Sequence, residues 1–86
     1  MRTYNTYLLR SYDRQNKPIS QGLSSNYKNA LPGFIRRSKE RCPDVDTIEC
    51  IVIENYVGSF RTEYVDIFTL WKAEDEALAA VYMFIH

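Results

Sequence analysis

The sequence predicts an α+β fold in which one helix packs on a small, mostly antiparallel sheet. Three segments are rich in β-branched and aromatic residues, which is typical of strands, and one segment between the first two has apolar residues at helical spacing. A chain of 86 residues holds one domain at most, so we expect residues 1–86 to form a single domain. The expected order is β-α-β-β-β, and in an alternative order, β-α-β-β-α, the last element is helical.

The first strand is predicted over residues 3–12, which are rich in tyrosine and threonine. On an extended chain, alternate residues share one side. That side carries Tyr4, Thr6, Leu8, Arg10 and Tyr12. Residues 13–23 have no periodicity and contain asparagine, proline and glycine, so we expect a surface loop there.

The helix is predicted from apolar residues that recur at steps of three and four between Tyr27 and Cys42. Pro32 interrupts this pattern, and a proline inside a helix costs about 3 kcal/mol. We therefore expect a short turn followed by a main helix over about residues 32–41, with one kinked helix as the alternative. Pro43 ends the helix, because the residue before a proline avoids helical geometry.

Two further strands are predicted over residues 47–56 and 62–71. The first of them is apolar at every position over residues 51–53, which is typical of a strand that is covered on both faces. Residues 73–86 fit two structures. A returning strand over residues 81–85 is favoured by its β-branched and aromatic residues, and a helix is the alternative.

The net charge of zero conceals a division along the chain. Residues 1–41 carry nine lysines and arginines against two acidic residues, and residues 42–86 carry two against nine. If strands from the two halves alternate in space, these charges pair across the surface and contribute little. If they do not, one face stays basic and another acidic, which favours a charged macromolecular partner.

Most enzyme signatures are missing from the sequence. The sole histidine is His86, and no phosphate-binding glycine loop, zinc-protease motif or EF-hand spacing is present. Two cysteines without a C-x-x-C spacing fit free thiols in a reducing cytoplasm. We therefore expect no catalytic, cofactor or metal site and a cytoplasmic location, and the absence of a long apolar segment predicts no membrane partner.

The candidate binding residues are basic and aromatic. Residues 36–41 hold four cations that can contact phosphates or an acidic protein, and nearby tyrosines can stack on a base. Alternatively, these cations are a solvated helix face near the negative end of the helix dipole. The predicted partner-binding residues are Arg36, Arg37, Lys39, Arg41, Lys28, Arg10, Tyr12 and Tyr27.

Three functions are weighed on these grounds. The first is a protein-binding module that inhibits or adapts a host macromolecular complex, of the kind common among phage and mobile-element accessory proteins. Its tyrosines supply interface anchors, and its opposed charges can also support a homodimer. The second is an RNA- or DNA-binding protein that uses the basic helix over residues 36–41. The third is a small metal-independent ribonuclease toxin. The first is preferred because the net charge is zero and the second half is acidic.

Overall fold

The structure is a computed structural model and describes residues 2–78. It confirms the α+β class, with one long helix on a four-stranded antiparallel sheet. The sheet order is β2-β1-β3-β4. The elements are β1 (Thr3–Asp13), β2 (Pro18–Ser24), α1 (Tyr27–Arg41), β3 (Val45–Tyr56) and β4 (Thr62–Lys72).

The core lies between α1 and one face of the sheet. Leu9 from β1, Phe34 from α1 and Ile48 from β3 form its centre and are almost completely buried. Cys50 of β3 is also fully buried, and it pairs in register with Leu9. The structure confirms the three strands predicted over residues 3–12, 47–56 and 62–71. Their alternate residues face opposite sides of the sheet, as the period of two in the sequence predicts.

The helix is longer than predicted. We expected a main helix from about residue 32, but α1 begins at Tyr27, and the Asn26 side chain caps it by accepting a hydrogen bond from Asn29 N at 3.2 Å. Pro32 therefore lies inside the helix, on its exposed side. The carbonyl of Lys28, which loses its partner in the next turn, faces the same side, where water can solvate it. The predicted end is confirmed, since Cys42 N donates to Ser38 O at 2.9 Å and Pro43 follows.

The loop predicted for residues 13–23 is wrong, because β2 lies within it. A tight turn over residues 13–17 joins β1 to β2, and Asp13 Oδ1 accepts hydrogen bonds from the backbone N–H groups of Gln15 and Lys17, each at 2.9 Å. Asn16 adopts a φ of 62°, a conformation that asparagine tolerates well. Pro18 begins β2 at the sheet edge, where its missing N–H is no obstacle.

After β4, residues 73–78 are helical, as in the alternative element order. The strand favoured over residues 81–85 lies outside the described residues. Between residues 2 and 78, no helix has the length and apolar character needed to cross a membrane.

Candidate functional site

The face of the sheet opposite α1 carries no covering element among the described residues; we call it the open face. Strand alternation directs Leu9 and Ile48 toward α1 and places their neighbours on the open face. Its most exposed apolar side chains lie on β1, β2 and β4. They are Tyr4 (59% exposed), Leu23 (67%), Tyr64 (78%) and Ile67 (59%).

Four aliphatic residues form a continuous row across all four strands of the open face. Leu8 pairs with Leu23 on one side and with Ile51 on the other, and Ile51 pairs in turn with Ile67. We call Leu23, Leu8, Ile51 and Ile67 the apolar row. The two central members are half-buried by their neighbours, whereas the two at the edges are exposed. An apolar band that spans a whole sheet is more than the scattered apolar residues of an ordinary surface.

A shallow depression of about 590 Å³ lies beside the row, where β1, β3 and β4 meet. Leu8 and Ile51 line it together with Ile67, and Tyr64 and Val65 of β4 line it further along the strand. The register between β3 and β4 shifts between Val52 and Ile53, next to the side of the depression that β4 lines. The depression can accept an apolar side chain from another surface.

A polar row lies beside the apolar row. Arg10 of β1 pairs in register with Glu49 of β3, and Arg10 Nη1 lies 4.0 Å from Glu49 Oε1. The Tyr12 hydroxyl donates a hydrogen bond to the same carboxylate oxygen. Burial, followed by the hydrogen bond to Glu49, raises the pKa of the Tyr12 hydroxyl above its ordinary value. The tyrosine therefore stays protonated near neutral pH, and this cluster joins β1 to β3 rather than presenting a free base.

The two oppositely charged halves of the chain lie side by side. The basic half supplies β2, β1 and α1, and the acidic half supplies β3, β4 and the helical residues 73–78. They meet where β1 pairs with β3 and where Lys39 Nζ donates to Glu76 Oε1 at 3.0 Å. The strands of the two halves do not alternate. The β3–β4 side of the sheet is acidic, with five carboxylates and one lysine, whereas β2 has no charged residue and β1 has one arginine and one aspartate, so the excess of cations lies mainly on α1.

The cations of α1 have different surroundings. Lys39 is held by Glu76 and lies 5.7 Å from the centre of the Trp71 ring. Arg41 Nη1 donates to the carbonyl of Ile19 in β2 at 3.4 Å. The remaining cations of the helix are exposed, and they form no ion pair among residues 2–78. These are Lys28, Arg36 and Arg37.

The structure does not bring the eight predicted partner-binding residues to one surface. Five lie on α1 as solvent-exposed cations: Lys28, Arg36, Arg37, Lys39 and Arg41. Arg10 and Tyr12 belong to the open face by strand alternation, and of these two only Arg10 approaches a helix cation, since it lines a small depression at the β2 edge together with Arg41. The Tyr27 ring is half-buried and packs edge-on against Tyr7 at 4.9 Å and Phe68 at 5.6 Å, so it is part of the packing beneath α1.

Sequence reasoning missed the apolar row. The sequence predicts Leu8 on one side of the first strand and apolar residues on both faces at positions 51–53. The partners in the row depend on strand register, and the loop predicted over residues 13–23 includes Leu23. The available signal was the apolar character of Ile19 and Leu23 among the polar residues of β2.

Other chemistry is limited in the described part of the chain. Cys42 is partly buried and Cys50 fully buried, and both are free thiols. Burial raises the pKa of the Cys50 thiol. Across residues 2–78, no group of three or more His, Cys, Asp or Glu side chains is placed to hold a metal ion.

Comparison of the chain with protein-family models, with curated proteins and with solved structures finds no significant match. Its function is therefore inferred from its own residues and their geometry.

Proposed function

We propose that this chain is a small non-enzymatic protein-binding module that acts through the open face. The observation that carries this proposal is the apolar row, which spans the sheet and is exposed at both edges. The exposed fractions of Tyr4, Leu23, Tyr64 and Ile67, applied to side chains of roughly 150 to 200 Å², leave about 450 Å² of apolar surface. The largest apolar patch on a typical monomer is about this size and is often functional.

The open face suits a protein partner better than a nucleic acid. Its central ionisable groups, Arg10 and Glu49, neutralise each other, so it offers phosphates no excess of positive charge. Tyr64 and Ile67 provide the apolar and aromatic anchors that protein interfaces concentrate at their centres. A module of this kind can serve as an inhibitor or adaptor of a host complex, because it acts by occupying a surface. Free thiols fit a cytoplasmic location as part of the same proposal.

A second candidate function, nucleic-acid binding, is favoured by a different surface. Lys28, Arg36 and Arg37 are exposed on α1 and unpaired among the described residues. Each phosphate contact lowers the slope of log affinity against log salt by about 0.7 to 0.9, so three contacts predict a slope of about −2 to −3. Binding to a labelled 20-nucleotide RNA at several salt concentrations measures that slope directly.

The two functions are separated by affinity capture from the native cell, with and without nuclease. Four tagged proteins are compared: wild type, an open-face variant (Ile67→Lys), a helix variant (Arg36→Gln with Arg37→Gln) and a control (Phe60→Lys). Phe60 is fully exposed in the turn after β3, away from the apolar row, so its replacement adds the same charge elsewhere.

Capture of a defined protein that survives nuclease, is lost with Ile67→Lys and is retained with Phe60→Lys supports the protein-binding module. Capture that is lost on nuclease treatment and with the Arg36 and Arg37 changes supports nucleic-acid binding instead. Equal capture by the wild type and the Ile67→Lys variant contradicts a role for the open face.

A further inference from the structure

We infer that the partner of the open face is a second copy of this chain, bound face to face about a two-fold axis that runs parallel to the strands. This inference rests on the proposed function, because it names the occupant of the same surface. It follows from the order of residues across the sheet, from the distribution of charge and from the area available.

The apolar row is complementary to itself under this symmetry. A two-fold axis parallel to the strands reverses the order of the strands in the second sheet relative to the first. It leaves the position of each row along the strands unchanged. The exposed end of the row at Ile67 then lies over Leu23 of the second copy, and Ile51 lies over Leu8 of the second copy. Each copy contributes the same patch, as a two-fold interface requires.

The adjoining polar row obeys the same symmetry. Arg10 and Glu49 occupy the two central strands, so the axis that superposes the apolar rows also places Arg10 against Glu49 of the second copy. A two-fold axis perpendicular to the strands that superposes the apolar rows instead places Arg10 over Thr6 of the second copy, and the match with Glu49 is lost. Opposite charges that meet across an interface favour the orientation that pairs them.

The charge division of the whole chain favours the same orientation. Reversal of the strand order lays the β2–β1 side of one sheet, whose strands carry one arginine and one aspartate, over the β3–β4 side of the other, whose strands carry five carboxylates and one lysine. This orientation keeps the acidic sides of the two copies apart, so they do not repel each other across the interface.

The area is sufficient for a specific dimer. About 450 Å² of exposed apolar side chain on each copy makes about 900 Å² before the polar row and the half-buried centre are counted, and specific interfaces begin near 1,000 Å². Two sheets packed in this way form a sandwich about 10 Å thick, with strands about 30° apart and α1 of each copy on the outside. This arrangement covers both faces of β3 and matches its apolar residues at positions 51–53.

Sedimentation velocity of the purified full-length chain over a wide concentration range tests the inference. The wild type and the Phe60→Lys variant are expected to sediment as a species of twice the chain mass of 10.1 kDa. Ile67→Lys is expected to raise the dimer dissociation constant by at least about 100-fold, because each dimer then buries two unpaired ammonium groups. Far-UV circular dichroism checks that the variant is folded, as expected for a side chain that is 59% exposed.

A mixing experiment tests the axis itself. Leu23→Glu alone is expected to weaken the dimer as Ile67→Lys does. In an equimolar mixture, the lysine at position 67 of one copy faces the glutamate at position 23 of the other, while the second contact keeps its native leucine and isoleucine. A dimer that forms only in the mixture supports the proposed axis, and its absence overturns that axis.

The other occupants give different results. A wild type that stays monomeric at every concentration overturns the inference. If cellular capture then still depends on Ile67, the open face binds a different protein and the proposed function survives. If a photo-cross-linker at position 64 reacts only with residues 79–86 of the same chain, that segment occupies the face, and both the dimer and the proposed function fail.

Discussion

The most direct test of the packing concerns two serines that are completely buried between α1 and the sheet. Ser38 of α1 donates a hydrogen bond to Ser11 Oγ of β1 at 2.9 Å, and Ser11 in turn donates to the carbonyl of Ser20 in β2 at 3.4 Å. This chain of hydrogen bonds links three elements in the core. We predict that its members contribute to stability cooperatively.

The expected magnitudes follow from what each change leaves unpaired. Ser11→Ala removes the acceptor of the buried Ser38 hydroxyl, so it is expected to lower the free energy of unfolding by about 1 to 3 kcal/mol. Ser38→Ala removes a donor but leaves Ser11 bonded to Ser20, so its cost is about 0.5 to 1.5 kcal/mol. In the double variant no buried hydroxyl is left without a hydrogen-bond partner. Its loss of unfolding free energy is therefore expected to be about 1 kcal/mol smaller than the sum of the two single losses.

Urea unfolding and thermal melting, followed by far-UV circular dichroism at one protein concentration, measure these values. A loss of 1 kcal/mol corresponds to a fall of about 4 to 8 °C in Tm for a domain of this size. Ser25→Ala is the matched control, because Ser25 is exposed and its loss is expected to cost less than about 0.5 kcal/mol. Additive effects of Ser11→Ala and Ser38→Ala, within about 0.3 to 0.5 kcal/mol, refute a direct bond between them.

Three further results are expected. Gly33→Ala is expected to raise the free energy of unfolding in urea by about 0.5 to 1 kcal/mol, because alanine favours the helix more than glycine does. The new methyl group lies 3.7 Å from the nearest side-chain atom, which is an ordinary contact distance. A lower free energy of unfolding contradicts this packing. The hydrogen bond from Lys39 lowers the pKa of Glu76 in the folded state. The contact therefore stabilises the fold fully above the unfolded-state pKa of Glu76, and this stabilisation is lost as the pH falls through the folded-state pKa. An NMR titration is expected to show this lowered pKa and its return toward the ordinary value with Lys39→Gln; an unchanged titration contradicts the contact. A thiol reagent is expected to modify Cys42 in the folded protein and Cys50 only on unfolding, and equal rates refute the burial of Cys50.

Part of the fold could be predicted because it is encoded locally. The alternation in β1 and β4 and the apolar run in β3 identify strands whatever their neighbours are. The end of α1 at Cys42 could also be predicted, because Pro43 restricts the residue before it. These features depend on residues a few positions apart.

The predictions of secondary structure were wrong where contacts between residues distant in the sequence outweigh the conformational preference of the local segment. Residues of β2 have little strand character of their own, but β1 supplies their hydrogen bonds. Pro32 was expected to begin the helix, yet packing of the same face before and after it keeps α1 continuous. Tyr27, which stays a predicted partner-binding residue, packs edge-on against Tyr7 and Phe68, and these contacts depend on residues distant in the sequence.

The candidate site shows the same division. The sequence by itself determined the fold class, the unequal charge of the two halves and the apolar positions on both faces of β3, because composition and periodicity are properties of the chain. Only the tertiary structure decided that Leu23, Leu8, Ile51 and Ile67 stand in one row and that the charged halves lie side by side. Register and strand order set these neighbours, and a shift of one residue would have turned each of them to the opposite face.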